Sequence, residues 1–134
     1  MAYLKYKEIT KYFHFFKELN REQLPSYVTD YLDEGEEVLS GYATKRDKGL
    51  FTNKKILLFD VTPYTNTKQI HTIPYNSISS IGVLFGSTNG AFIIYLESGY
   101  PLELKFKNLN SEKKTRLRLL YSAIAEIVAN KKQS

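Results

Sequence analysis

Apolar and polar residues alternate most regularly late in the chain, where Leu102, Leu104 and Phe106 interleave with Glu103, Lys105 and Lys107. A period of two marks a strand with one buried and one wetted face, as in an antiparallel sheet. Upstream, short apolar runs recur between turn-forming residues. They predict strands at Val38–Lys45, Lys48–Thr52, Ile56–Val61, Gln69–Ile73, Ile78–Phe85, Ala91–Glu97 and Pro101–Lys107. The break at Thr52-Asn53-Lys54-Lys55 reads as a tight turn, because Asn tolerates a left-handed backbone and Thr bonds locally. Pro74 donates no ladder hydrogen bond, so Ile73-Pro74-Tyr75 marks a bend or an edge. Seven strands at this spacing make a barrel or a sandwich.

The period lengthens to that of a helix at both ends of the chain. From a cap at Asn110 or Ser111, a helix to about Lys131 carries Leu117, Leu120, Tyr121, Ile124, Ile127 and Val128 on one stripe. A helix with a single apolar stripe after seven strands is suited to plugging the open end of a barrel. Residues 3–20 place Ile9, Tyr12, Phe13, Phe16 and Leu19 at helical spacing. Pro25 then opens a second helical segment with Tyr27, Val28, Tyr31 and Leu32. The expectation is two short N-terminal helices in an extension, 1–32, ahead of a domain spanning 33–132. So much apolar surface needs a cover: the barrel, a second copy of the chain or another partner. Tyr12, Phe13, Phe16, Tyr27 and Tyr31 are the candidate interface residues, since aromatic side chains enrich interface cores.

Composition narrows the class without naming a task. The chain has 134 residues, which suits one domain, and its 43% hydrophobic and 25% charged residues are ordinary for a globular protein. Cysteine is absent, which excludes disulfides, thiolate metal sites and a Cys nucleophile. No apolar run is long enough to span a membrane as a helix, and the first residues lack the features of a signal peptide, so a cytoplasmic location is expected. The net charge of +5 is unevenly distributed. An acidic knot at residues 30–37 is followed by Lys45, Arg46, Lys48, Lys54 and Lys55 around the first hairpins, and the C-terminal third is basic.

The sequence holds no motif of a known catalytic or metal-binding chemistry. Counted from Asp30, a calcium loop would need oxygen ligands where Leu32 and Gly41 stand. His14 and His71 have no neighbouring residues at metal-ligand spacing. Neither a Gly-x-Ser-x-Gly elbow nor a phosphate-binding glycine pattern occurs. No enzyme, metal or cofactor is expected.

One ordered set of motifs goes further. Gly35-Glu36-Glu37-Val38, Arg46-Asp47, Phe51-Thr52-Asn53-Lys54-Lys55-Ile56, Asp60 and Ile73-Pro74-Tyr75-Asn76-Ser77-Ile78 follow one another at fixed spacing. In this, residues 33–81 resemble the bacterial pleckstrin-homology-like (PH) domain family. Two segments depart from its usual pattern: the loop Val61-Thr62-Pro63-Tyr64-Thr65-Asn66-Thr67 lacks glycine, and Gly82–Thr88 is not acidic. The resemblance implies a PH-like fold, mainly β, with a seven-stranded, two-sheet barrel capped by the C-terminal helix. It implies no activity.

Two functions from different classes stay open. The first is a non-enzymatic interaction module that binds protein or assembles with itself. The alternative is an anionic lipid or membrane-surface binder, with Lys45, Arg46, Lys48, Lys54 and Lys55 as an anion cradle. Against that cradle stands a structural role: Asp47 capping its turn, Arg46 pairing with Asp60 or a barrel-end carbonyl, and Lys54 and Lys55 as a solvated hairpin tip. Nucleic acid fits poorly, because the cations lack an interleaved aromatic platform.

Overall fold

A computed structural model describes residues 14–61 and 68–133. The strands are β1 (His14–Phe15), β2 (Lys17–Leu19), β3 (Val38–Ala43), β4 (Lys48–Thr52), β5 (Lys55–Val61), β6 (Lys68–Pro74), β7 (Ile78–Phe85), β8 (Gly90–Leu96) and β9 (Pro101–Phe106). One helical turn, α1 (Ser26–Thr29), precedes β3, and a long helix, α2 (Ser111–Gln133), ends the chain. β3 to β9 are the seven strands expected from the sequence, with bounds that shift by at most two residues. They lie in two sheets, ordered β2-β3-β4-β5-β6 and β1-β9-β8-β7. The sheets stack without closing into one ladder, so the barrel is an open, PH-like sandwich.

Side-chain alternation decides which residues fill the space between the sheets. In β8 and β9, Phe92, Ile94, Leu96, Leu102, Leu104 and Phe106 point inward and are buried. Ile56-Leu57-Leu58-Phe59 is apolar without alternation because both faces of β5 are covered. Ile56 and Leu58 enter the central core, whereas Leu57 and Phe59 join Leu50 on the outer face. There the segment after β2 folds over them, bringing Leu24, Tyr27, Val28 and Leu32.

α2 closes the sandwich as its stripe requires. Asn110 is the residue that caps it, its side-chain oxygen accepting from the Lys113 N–H at 2.8 Å. Leu117, Leu120, Ile124 and Val128 are buried in the central core. The Tyr121 hydroxyl donates to the Ile81 carbonyl at 3.2 Å and ties the helix to β7.

The N-terminal segment corrects the helical expectation. Residues 14–19 form two strands, and the rest of the first expected helix lies outside the described residues. β1 pairs in parallel with β9, and β2 pairs antiparallel with β3, so one short segment bridges the edges of both sheets. Phe15 enters the core between Tyr42 and Phe106, with ring centroids 6.0 and 5.5 Å away. Beneath it lies Gly49, where a Cβ would stand 2.4 Å from the ring. Of the second expected helix only a single turn is found. A 3-10 turn at Arg21–Gln23, capped by Asn20, is followed by α1, which starts after Pro25.

Candidate functional site

The polar motifs gather at the two ends of β4. At one end, Thr44 and Asp47 close the β3–β4 turn on each other. The Thr44 N–H donates to the Asp47 carbonyl, and the Asp47 N–H to the Thr44 hydroxyl, both at 2.9 Å. The Asp47 carboxylate is buried and accepts from the Val61 N–H at 2.9 Å, which pins the end of β5 to this turn. Asp60 lies beside it. Burial first, then the charge of Asp47 and a hydrogen bond to it, raise the Asp60 carboxyl, and Arg46 only partly offsets this. Arg46 therefore acts on Asp60, whereas the side chain that caps the turn is Thr44, whose hydroxyl accepts from the Arg46 and Asp47 N–H groups. Lys45 and Arg46 are otherwise exposed. Lys48 is half-buried; burial and the nearby Lys17 lower its ammonium, against the attraction of Asp47.

This end carries a stability prediction whose sign can be worked out. A carboxyl raised in the folded state stabilises fully below its unfolded value, and that stability is lost as pH rises through the folded value. At neutral pH the charged Asp60 is thus a net burden. Asp60→Asn keeps a donor for Asp47 and removes the repulsion. Thermal melts should show a higher Tm for the variant at pH 7, a gain that disappears below about pH 4, where the reference carboxyl is protonated.

At the other end of β4, Glu36 is buried and surrounded by donors. It accepts from the Asp33 N–H at 2.9 Å, from Lys55 Nζ at 2.9 Å and from the Thr52 hydroxyl. Thr52 Oγ1 also accepts from the N–H groups of Lys54 and Lys55 at 3.0 and 3.1 Å. The Tyr75 hydroxyl donates to the Thr52 carbonyl at 2.6 Å, and Asn53 bonds Glu37 through both backbone and side chain. Gly35, at φ +77°, supplies the left-handed backbone that turns the chain into this cluster. Burial alone would raise the Glu36 carboxyl. The hydrogen bonds from Thr52, Asp33 and Lys55, with the Lys55 charge, outweigh it and hold the carboxyl below its ordinary value.

Lys55 is therefore tied up by Glu36 and, at 3.2 Å, by Asp33. Lys55→Met preserves the stem of the side chain and leaves Glu36 charged and short of a donor. The expected loss is about 2–3 kcal/mol at pH 7 in denaturant titrations. A lowered carboxyl stabilises above its unfolded value and loses that contribution as pH falls through the folded one. The gap between variant and reference should therefore narrow below about pH 4.

The five cations singled out in the sequence thus do not meet. Lys45, Arg46 and Lys48 sit at one end of a five-residue strand and Lys54 and Lys55 at the other, roughly 13 Å away. The length of the run between the two turns is the sequence signal that separates them.

Of the aromatic interface candidates, Tyr12 and Phe13 lie outside the described residues. Tyr27 and Tyr31 pack edge-on against Phe59, with centroids 6.0 and 5.9 Å away. Tyr27 is half-buried by this, whereas Tyr31 and Phe16 remain exposed. A surface that the sequence reading passed over lies on the outer face of β7 and β8. Gly82 pairs with Ile93, Leu84 with Ala91 and Ser80 with Tyr95. This row leaves Leu84 59% and Tyr95 46% exposed. The alternation of Phe92, Ile94 and Leu96 into the core was its signal, since it turns residues 91, 93 and 95 outward.

No group of three or more His, Cys, Asp or Glu side chains among the described residues is placed to hold a metal. No helix among them is long and apolar enough to cross a membrane.

The bacterial PH domain profile matches residues 8–128. The chain belongs to the bacterial PH domain family. Solved bacterial PH structures share the fold at low identity. A DUF1696 family protein with a pleckstrin-homology domain from Shewanella loihica PV-4 is 21% identical, with a TM-score of 0.67 over 86% of this chain and 98% of that one. A pleckstrin homology domain from Shewanella amazonensis SB2B is 20% identical, with a TM-score of 0.57 over 79% and 89%. A PH domain-containing protein from Exiguobacterium sibiricum 255-15 is 17% identical, with a TM-score of 0.64 over 87% and 63%. No curated protein matches the chain significantly. In this bacterial PH domain, the motifs that carried the resemblance are largely accounted for by the two hydrogen-bonded clusters that hold the ends of β4.

Proposed function

We propose that this bacterial PH domain is a non-enzymatic, cytoplasmic interaction module that binds protein, a second copy of itself first. The observation that supports this is the row Leu84, Ile93 and Tyr95 on the outer face of β7 and β8. The corresponding face of the other sheet is covered by Leu24, Tyr27, Val28 and Leu32. Large side chains that stay in water on a flat sheet face are what protein interfaces bury. Phe16 and Tyr31 add exposed aromatic surface.

Light scattering tests the reading. At high protein concentration the chain should run heavier than its 15.5 kDa monomer, and Leu84→Asp with Tyr95→Asp should return it to that mass. A monomeric reference chain would remove self-assembly. Binding to anionic surfaces has weaker support, because the cations split between two ends and Lys55 is already paired. Co-sedimentation with phosphatidylserine vesicles at low salt is its test.

A further inference from the structure

A cleft of about 600 Å³ opens between the N-terminal segment, the first half of β3 and the first turns of α2. None of the five cations around the first hairpins lines it. Its rim instead carries Lys17, Arg21, Lys113 and Arg116, against one carboxylate, Glu18. That carboxylate is already engaged. Arg116 Nε donates to both oxygens of Glu18, at 3.2 and 2.9 Å, and Nη2 donates to one of them at 3.0 Å. Lys17, Arg21 and Lys113 have no ion-pair partner among the described residues. Phe16 and Leu39 supply an apolar wall.

The position of Lys113 is informative. It occupies the first turn of α2, where the Asn110 cap accepts its N–H. The positive end of a helix disfavours cations there. Glu112 in the same turn suits that helix end, whereas Lys113, with Lys114 beside it, works against it. Local conflicts of this kind are expected where a binding site sets the residue. The Glu18–Arg116 pair also shows that a carboxylate fits the rim, in the forked geometry arginine prefers.

We propose that this cleft takes an acidic, partly apolar peptide segment of a partner protein. Its carboxylates lie against Arg21 and Lys113, and an apolar side chain rests on Phe16 and Leu39. The cations ring a concavity with an apolar wall, which an extended peptide can enter and a flat bilayer cannot. This inference rests on the interaction-module reading and names the chemistry of one partner.

The test is fluorescence anisotropy of the full chain with a fluorescein-labelled peptide alternating glutamate and leucine, against one alternating lysine and leucine. The acidic peptide should bind saturably and the basic one should not. Arg21→Glu with Lys113→Glu should weaken binding by about tenfold or more, whereas Lys45→Glu with Arg46→Glu should leave it unchanged. If the double reversal fails to fold by circular dichroism, Arg21→Ala and Lys113→Ala are read instead, each expected to weaken binding about two- to fivefold. Absence of saturable binding, equal binding by the folded cleft variants, or displacement of the peptide by phosphatidylserine vesicles overturns the proposal. Light scattering reads the broader proposal separately. A chain that self-associates but ignores the peptide rejects the cleft alone, and a monomer that takes the peptide keeps the cleft and removes self-assembly.

Discussion

Phe15→Ala is expected to lower stability by about 3–5 kcal/mol in a denaturant titration, as for a large aromatic side chain removed from a packed core. Phe15 is 1% exposed and stacks among Tyr42 and Phe106, so its removal leaves a cavity lined by rings that cannot collapse into it. The same change loosens the bridge between β9 and β3, because the Phe15 carbonyl accepts from the Lys107 N–H at 2.7 Å in the same segment. Gly49 gives an internal control. Gly49→Ala puts a methyl group into the Phe15 ring and should cost about 1–3 kcal/mol on its own. In the Phe15→Ala background the methyl group enters the vacated space, and the cost should shrink or reverse. A double-mutant cycle with no coupling would contradict this packing.

Ile124→Ala and Leu120→Ala are each expected to cost about 2–5 kcal/mol. Both side chains lie on the α2 stripe in the central core, at 0% and 4% exposed. Leu119, one residue from Leu120, points to solvent, so Leu119→Ala should stay within about 0.5 kcal/mol. The contrast between neighbours tests the orientation of the helix rather than its helicity. Chemical denaturation that gave losses below about 0.5 kcal/mol for both buried positions would show that α2 does not close the sandwich.

The sheets and α2 were legible because their patterns are long enough to have a period. Leu102, Leu104 and Phe106 repeat every two residues, and Leu117, Leu120, Ile124 and Val128 repeat as a helix does, with Asn110 to start them. The N-terminal segment is too short and too apolar for that test. Phe15, Lys17 and Leu19 alternate as a strand, yet Phe13, Phe16 and Leu19 also fit a helix. Pairing with β9 and β3 decides between them, and those partners are far away in sequence. The polar clusters divided in the same way. The β3–β4 turn closes within itself, through Thr44 and Asp47 three residues apart. Glu36 reads as one more member of an acidic knot until the fold brings Thr52 and Lys55 to it. The cleft was out of reach, since Glu18 and Arg116 meet only through the tertiary fold.

The bridge made by β1 also sets an order of events for the chain. Phe15 pairs with Phe106, with about ninety residues between them. Closing a loop of that size is entropically unfavourable until the intervening strands have shortened it. During synthesis, the N-terminal strand is made first and can take its final partner only after β9 has left the ribosome. Until then Phe15 has no core to enter, and its strand waits for its place. Contacts of such separation slow folding and leave a chain open to pairing with others meanwhile. The segment that finishes the domain is thus also the one most exposed to a wrong partner before the domain is finished.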